Sequence, residues 1–91
     1  MKKRSISLYG HQTSVALEAE FWAVIDAAVA QNGQSFASFI RERDDERMEG
    51  GPTRNLASHL RVWCLRYVRD KICILHHAKD FEDFMRPRPT L

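Results

Sequence analysis

Cys73, His76 and His77 stand at i, i+3 and i+4, a spacing at which one helix turns two or three metal ligands to the same side. A tetrahedral site needs a further donor, and only the distant Cys64 or His59 could come round to supply it, so no metal and no other cofactor is expected. Asp44-Asp45 is a pair of carboxylates without a visible cleft. The 91 residues contain no Gly-rich phosphate loop, no His-Glu-x-x-His and no Gly-x-Ser-x-Gly. So short a chain also struggles to enclose a substrate pocket, so no enzyme is expected and no catalytic residue is assigned. What remains is a basic arm, Met1-Lys2-Lys3-Arg4, whose cations suit contact with a polyanion.

Charge is segmented along the chain although its formal sum is only +2. Residues 1–17 carry three cations and no acid, whereas residues 18–32 carry Glu18, Glu20 and Asp26 and no cation. Residues 41–49 alternate in sign, the pattern of a solvated helix face, and residues 54–71 hold five cations against Asp70. The basic start has no apolar run behind it, and the stretch from Phe21 to Ile40 is broken by Asp26, Gln31, Asn32, Gly33 and Gln34. No leader and no membrane span are expected, and two cysteines argue for a reducing, cytoplasmic setting.

Two short runs alternate with period two, Ile6 and Leu8 in the first, Val15 and Leu17 in the second, as half-buried strands do. Gly10 between them can adopt a positive φ, so a hairpin is open to this segment. From Glu18 the period changes: Phe21, Val24, Ile25, Ala28 and Val29 share one helical face, predicting a helix over about 19–31. Asn32-Gly33 is a left-handed stop, and Ser35 caps a second helix over about 35–48 with Phe36, Phe39 and Ile40 on its inner side. Gly50-Gly51-Pro52 ends it. Asn55 starts a third helix, over about 55–75, whose Leu56, Leu60, Trp63, Cys64, Tyr67 and Ile74 form a wide apolar stripe. Trp22 and Trp63 sit in or beside apolar faces, as core or interface anchors do. A single domain over 1–78 with a tail over 79–91 is expected, with no internal repeat and no low-complexity block.

Strand, helix, Gly-containing turn and Ser-capped helix follow one another in the order of ribbon-helix-helix DNA-binding domains. The stretches Thr13-Ser14-Val15-Ala16-Leu17-Glu18-Ala19-Glu20-Phe21-Trp22, Asn32-Gly33-Gln34-Ser35 and Asn55-Leu56-Ala57-Ser58-His59-Leu60-Arg61-Val62 resemble a bacterial branch of that superfamily, over residues up to about 68. The resemblance implies a mainly α fold with a short N-terminal β-ribbon, an intertwined homodimer and an additional C-terminal helix. One strand cannot stand alone, so two chains would pair strands 12–17 into the ribbon, with Val15, Leu17, Phe21, Ile25, Phe39 and Ile40 in the dimer core. Residues 4–9 leave two arrangements open, an extra strand that widens the sheet or the pairing strand itself; the direct entry of Leu17-Glu18 into a helix favours 12–17.

The same resemblance implies a transcriptional regulator on double-stranded DNA. Gln12, Ser14 and Ala16 would face the bases, where Gln bonds adenine bidentately, Ser donates or accepts, and Ala touches a thymine methyl. Phosphates would fall to Lys2, Lys3 and Arg4 and to the start of the second helix at Gln34, Ser35 and Phe36. A different reading starts from the third helix, whose stripe exceeds what two short helices and a ribbon need to cover. Leu60, Trp63 and Tyr67 would then bind a protein partner, in a dimeric interaction or antitoxin-like module that binds little or no DNA.

Overall fold

A computed structural model describes residues 1–49, 51 and 54–72. Two strands, β1 (Lys2–Leu8) and β2 (His11–Leu17), precede three helices, α1 (Ala19–Asn32), α2 (Phe36–Glu49) and α3 (Leu56–Ile72). The mainly helical fold with an N-terminal two-stranded ribbon and a further helix after the second is thus present. Cys73, Ile74, His76, His77, the end expected for the third helix near 75 and the tail over 79–91 lie outside the described residues, as do Gly50 and Pro52 of the expected helix stop.

The hairpin left open by the sequence is formed, and residues 4–9 contribute a strand that pairs with the second within the same chain. β1 and β2 pair antiparallel from Lys2↔Leu17 to Leu8↔His11 across the two-residue turn Tyr9-Gly10. Both turn residues have positive φ, 51° at Tyr9 and 82° at Gly10, the mirror-image turn whose twist matches that of the strands it joins. A β-carbon at Gly10 would touch nothing within 4 Å, so only backbone strain opposes a side chain there. Gly10→Ala should therefore cost about 1–2 kcal/mol in urea unfolding.

Pairing fixes which residues face the helices. Ile6, Val15 and Leu17 are buried with Trp22, Ile25, Ala28, Phe39, Ile40, Leu60 and Cys64. Of the six residues expected in a core shared between chains, five are therefore buried inside one chain, and Phe21 is half-buried against them.

Local signals set the helix ends. Gly33 is left-handed at φ 68° and its N–H donates to the Val29 carbonyl at 3.1 Å, ending α1. The Ser38 N–H donates to Ser35 Oγ at 3.1 Å, and the Ser58 N–H to Asn55 Oδ1 at 2.8 Å, so both expected caps are in place. α3 is an integral wall of the core. Leu60 is fully buried, Trp63 meets Phe39 edge-on at 4.9 Å between centroids and stacks on Tyr67 at 5.0 Å, and the Tyr67 hydroxyl donates to Gln31. Of the expected stripe, Leu60 and Cys64 are buried and Leu56, Trp63 and Tyr67 are half-buried, so Leu60 is not available to a partner.

Candidate nucleic-acid interface

Residues opposite each other in an antiparallel pair point to the same side, and successive residues alternate. With Arg4, Ile6, Val15 and Leu17 turned to the helices, the other face of the ribbon presents Lys3, Ser5 and Ser7 from β1 and Gln12, Ser14 and Ala16 from β2. All are exposed except the half-buried Ala16. The three residues expected to face bases thus share one surface, and three more from β1 stand opposite them: Lys3 by Ala16, Ser5 by Ser14, Ser7 by Gln12. Sequence reasoning missed Ser5 and Ser7, although parity with Ile6 and Leu8 carried the signal. The six residues offer one cation, one amide and three hydroxyls, and no acid.

Seven residues per strand make the ribbon roughly 24 Å long at about 3.4 Å per residue. Such a two-stranded ribbon is slender enough for the B-DNA major groove. Lys2 and the amino terminus add positive charge at one end. At the tip, the Tyr9 hydroxyl donates to Asp45 Oδ1 at 2.6 Å, and Arg41 lies 5.8 Å from the Tyr9 ring centre, fastening the turn to α2. That bond to a carboxylate raises the Tyr9 pKa.

Arg4, expected on phosphate, is held elsewhere. Its two guanidinium nitrogens donate to the two Asp26 oxygens at 2.8 and 2.9 Å, and the guanidinium lies 4.6 Å from the Trp22 ring centre. It is turned to the helix side because it shares parity with Ile6 and Leu8, so its task is to join ribbon and α1. The Trp22 indole N–H makes the same junction, donating to the Lys2 carbonyl at 2.8 Å. Bonding to Arg4 holds the Asp26 carboxyl below its ordinary range. The pair therefore stabilises the fold above the carboxylate range, and its contribution is lost as pH falls through the lowered Asp26 pKa. Asp26→Asn should cost about 0.2–1 kcal/mol near neutral pH. The difference from wild type should close as pH falls through the lowered Asp26 pKa, a trend that urea midpoints across pH would display.

Three acids near the ribbon, Glu18, Asp26 and Asp45, are engaged by partners within the chain. Glu18, at the β2–α1 junction, is held below the usual carboxylate range by its own backbone N–H and then by Arg61, whose Nε donates to it at 3.0 Å. Asp26 and Asp45 are bonded to Arg4 and Tyr9 as described. The start of α2 lies beside the β1 half of the ribbon, where Phe36 meets Trp22 at 6.0 Å between centroids and Arg4 at 5.3 Å. Ser35 is exposed there and Gln34 half-buried, with the Ser35 hydroxyl already occupied as the cap. On the other flank an open groove between β2 and the start of α3 is bordered by Met1, Ser14, Ala16, Asn55 and Arg61. Cys64 is buried, its thiol pushed up to about 11 by burial, and is packed in the core rather than turned to any surface.

A β-hairpin with one polar, cationic face, backed by two capped helices and a third that seals the core, defines a ribbon-helix-helix architecture. The family model described as "Ribbon-helix-helix domain" matches residues 1–68, and the chain belongs to that family. Its members are typically DNA-binding regulators of transcription or antitoxins, they typically form dimers, and their domains are generally non-enzymatic. No curated protein and no solved structure matches the chain. Among the described residues no helix is long and apolar enough to cross a membrane.

Proposed function

We propose that the protein binds double-stranded DNA as a homodimeric regulator of transcription, with the outward face of the β1–β2 ribbon in the major groove. The observation that carries this reading is the composition of that face. Lys3, Ser5, Ser7, Gln12 and Ser14 are exposed hydrogen-bonding groups without an acid among them, while Asp26, Asp45 and Glu18 are bonded to Arg4, Tyr9 and Arg61. Lys3 can donate to guanine O6 and N7, Gln12 can bond adenine on two atoms, and the hydroxyls suit either donors or acceptors. Lys2 and the backbone N–H groups at Gln34, Ser35 and Phe36 contact phosphates, setting register and orientation without reading sequence.

Retardation of a random-sequence duplex at increasing salt tests this. Wild type should bind with a steep salt dependence, and Lys2→Ala/Lys3→Ala should flatten the log–log slope by about 0.9 for each phosphate contact removed. An unchanged slope in the double variant removes β1 from the contact, and absence of binding by wild type at low salt overturns DNA recognition. A partner-binding role for the third helix would have to use the half-buried Trp63 and Tyr67, since Leu60 is buried.

A further inference from the structure

α3 carries a second apolar row besides the one that closes the core. At about 100° per residue, Leu56, Leu60, Trp63, Cys64 and Tyr67 share one side of the helix, and Val62, Leu65 and Ile72 lie together on the opposite side, at i, i+3 and i+10. Leu60 and Cys64 are buried, and Leu56, Trp63 and Tyr67 pack on the core with them. Among the described residues, the hydrophobic side chains packed on that core do not include Val62, Leu65 or Ile72. Leu65 is 48% exposed, and Val62 and Ile72 are half-buried. Cations frame this outer row. Arg69 lies within it and Arg61 and Arg66 at its two edges, whereas Asp70, the one acid of α3, lies outside it. Arg61 uses Nε and Nη2 on Glu18, and Arg69 uses the same two nitrogens on Asp70. A guanidinium has five N–H donors, so Nη1 of each can still meet a further carboxylate.

A second copy of the same face would set arginines against arginines, which like-charge repulsion opposes. The chain itself holds a complementary segment. Asp80-Phe81-Glu82-Asp83-Phe84-Met85, beyond the described residues, has three acids, no cation and three large apolar side chains. Length permits its return to the helix. Residues 73–79 reach up to roughly 23 Å when extended, at about 3.3 Å per residue, whereas Leu65 lies only about 10 Å back from Ile72 along α3. We propose that the outer face of α3 is the docking surface for the chain's own segment Asp80–Met85, with Phe81 and Phe84 on Val62, Leu65 and Ile72 and the three carboxylates toward Arg61, Arg66 and Arg69. Docking covers apolar surface that the core leaves outside and does not depend on DNA.

Isotope-filtered NMR on the full chain tests this, with carbon-13-labelled and unlabelled chains mixed so that contacts within a chain are separated from contacts between chains. The Phe81 and Phe84 rings should give nuclear Overhauser contacts to the methyls of Val62, Leu65 and Ile72 of their own chain. Contacts found only between labelled and unlabelled chains would seat a second copy's segment on the face and overturn the proposal, as would the absence of such contacts. Chymotrypsin supplies a rate. It should cleave after Phe81 and Phe84 about fivefold faster in Val62→Ser/Leu65→Ser than in wild type, and equal rates overturn the proposal. Fivefold corresponds to about 1 kcal/mol shared between two side chains outside the core, so the variant keeps its fold. Phe81→Ser/Phe84→Ser alters no residue of α3 at all. It should shift the Leu65 methyl resonances and leave those of the buried Leu60 in place, and unshifted Leu65 methyls overturn the proposal whatever the stability of α3.

Discussion

Leu60→Ala should destabilise the protein by about 2–5 kcal/mol, a large part of what a domain of this size possesses. Leu60 is fully buried at the point where α3 closes over the residues delivered by the ribbon, α1 and α2, and truncation leaves a cavity that surrounding aromatic packing cannot refill. A lower melting temperature by roughly 10–40 °C is the corresponding shift for a small domain. Leu65, on the same helix but 48% exposed, supplies the contrast: Leu65→Ala should stay within about 0.5 kcal/mol of wild type. Urea unfolding of both variants separates two pictures of α3. If the helix projected from the fold to capture a partner, both substitutions would leave the midpoint where it was. A loss confined to Leu60→Ala establishes that α3 is needed for the two-strand, two-helix unit to bury its own core.

Much of the helical part of this fold was legible because its signals are local. Gly33 and the Ser35 and Asn55 caps each act within a few residues, and the helical spacing of Ile25 and Ala28 needs no knowledge of a partner, although the buried face is centred on Trp22 and leaves Phe21, Val24 and Val29 half-buried. The ribbon was less legible for a physical reason. Period-two alternation states that a strand has an inner and an outer face, but it contains nothing about which strand lies alongside. Strand pairing within the chain and pairing between two chains bury the same Val15 and Leu17. Arg4 illustrates the complementary error. Grouped with Lys2 and Lys3 by charge, it was assigned to phosphate, whereas its parity with Ile6 and Leu8 already placed it on the helix side, where Asp26 and Trp22 receive it. α3 was misjudged for a third reason: the area that a ribbon and two short helices leave uncovered is a property of their assembly, and no single segment reports it.

Ser14→Glu should weaken binding to duplex by about 100-fold while leaving the fold intact, since like charges brought together at an interface cost several kcal/mol and each 1.4 kcal/mol is tenfold. Ser14 is exposed at the centre of the outward face, opposite Ser5, so a carboxylate there enters the groove midway between two rows of phosphates wherever along the site the ribbon is read. Water still reaches the side chain in the free protein, and a surface substitution of this kind changes stability by about 0.5 kcal/mol or less. Ser14→Gln has nearly the same bulk without the charge and should lose no more than about tenfold, the range of a single mismatched contact. The ratio between the two variants isolates electrostatic repulsion from the loss of one hydroxyl and should shrink as salt is added, because screening weakens repulsion between the carboxylate and the phosphates. Equal binding by both variants would mean that the ribbon's polar face lies away from the DNA and that contact is made through another surface, such as the flank where α3 begins beside β2.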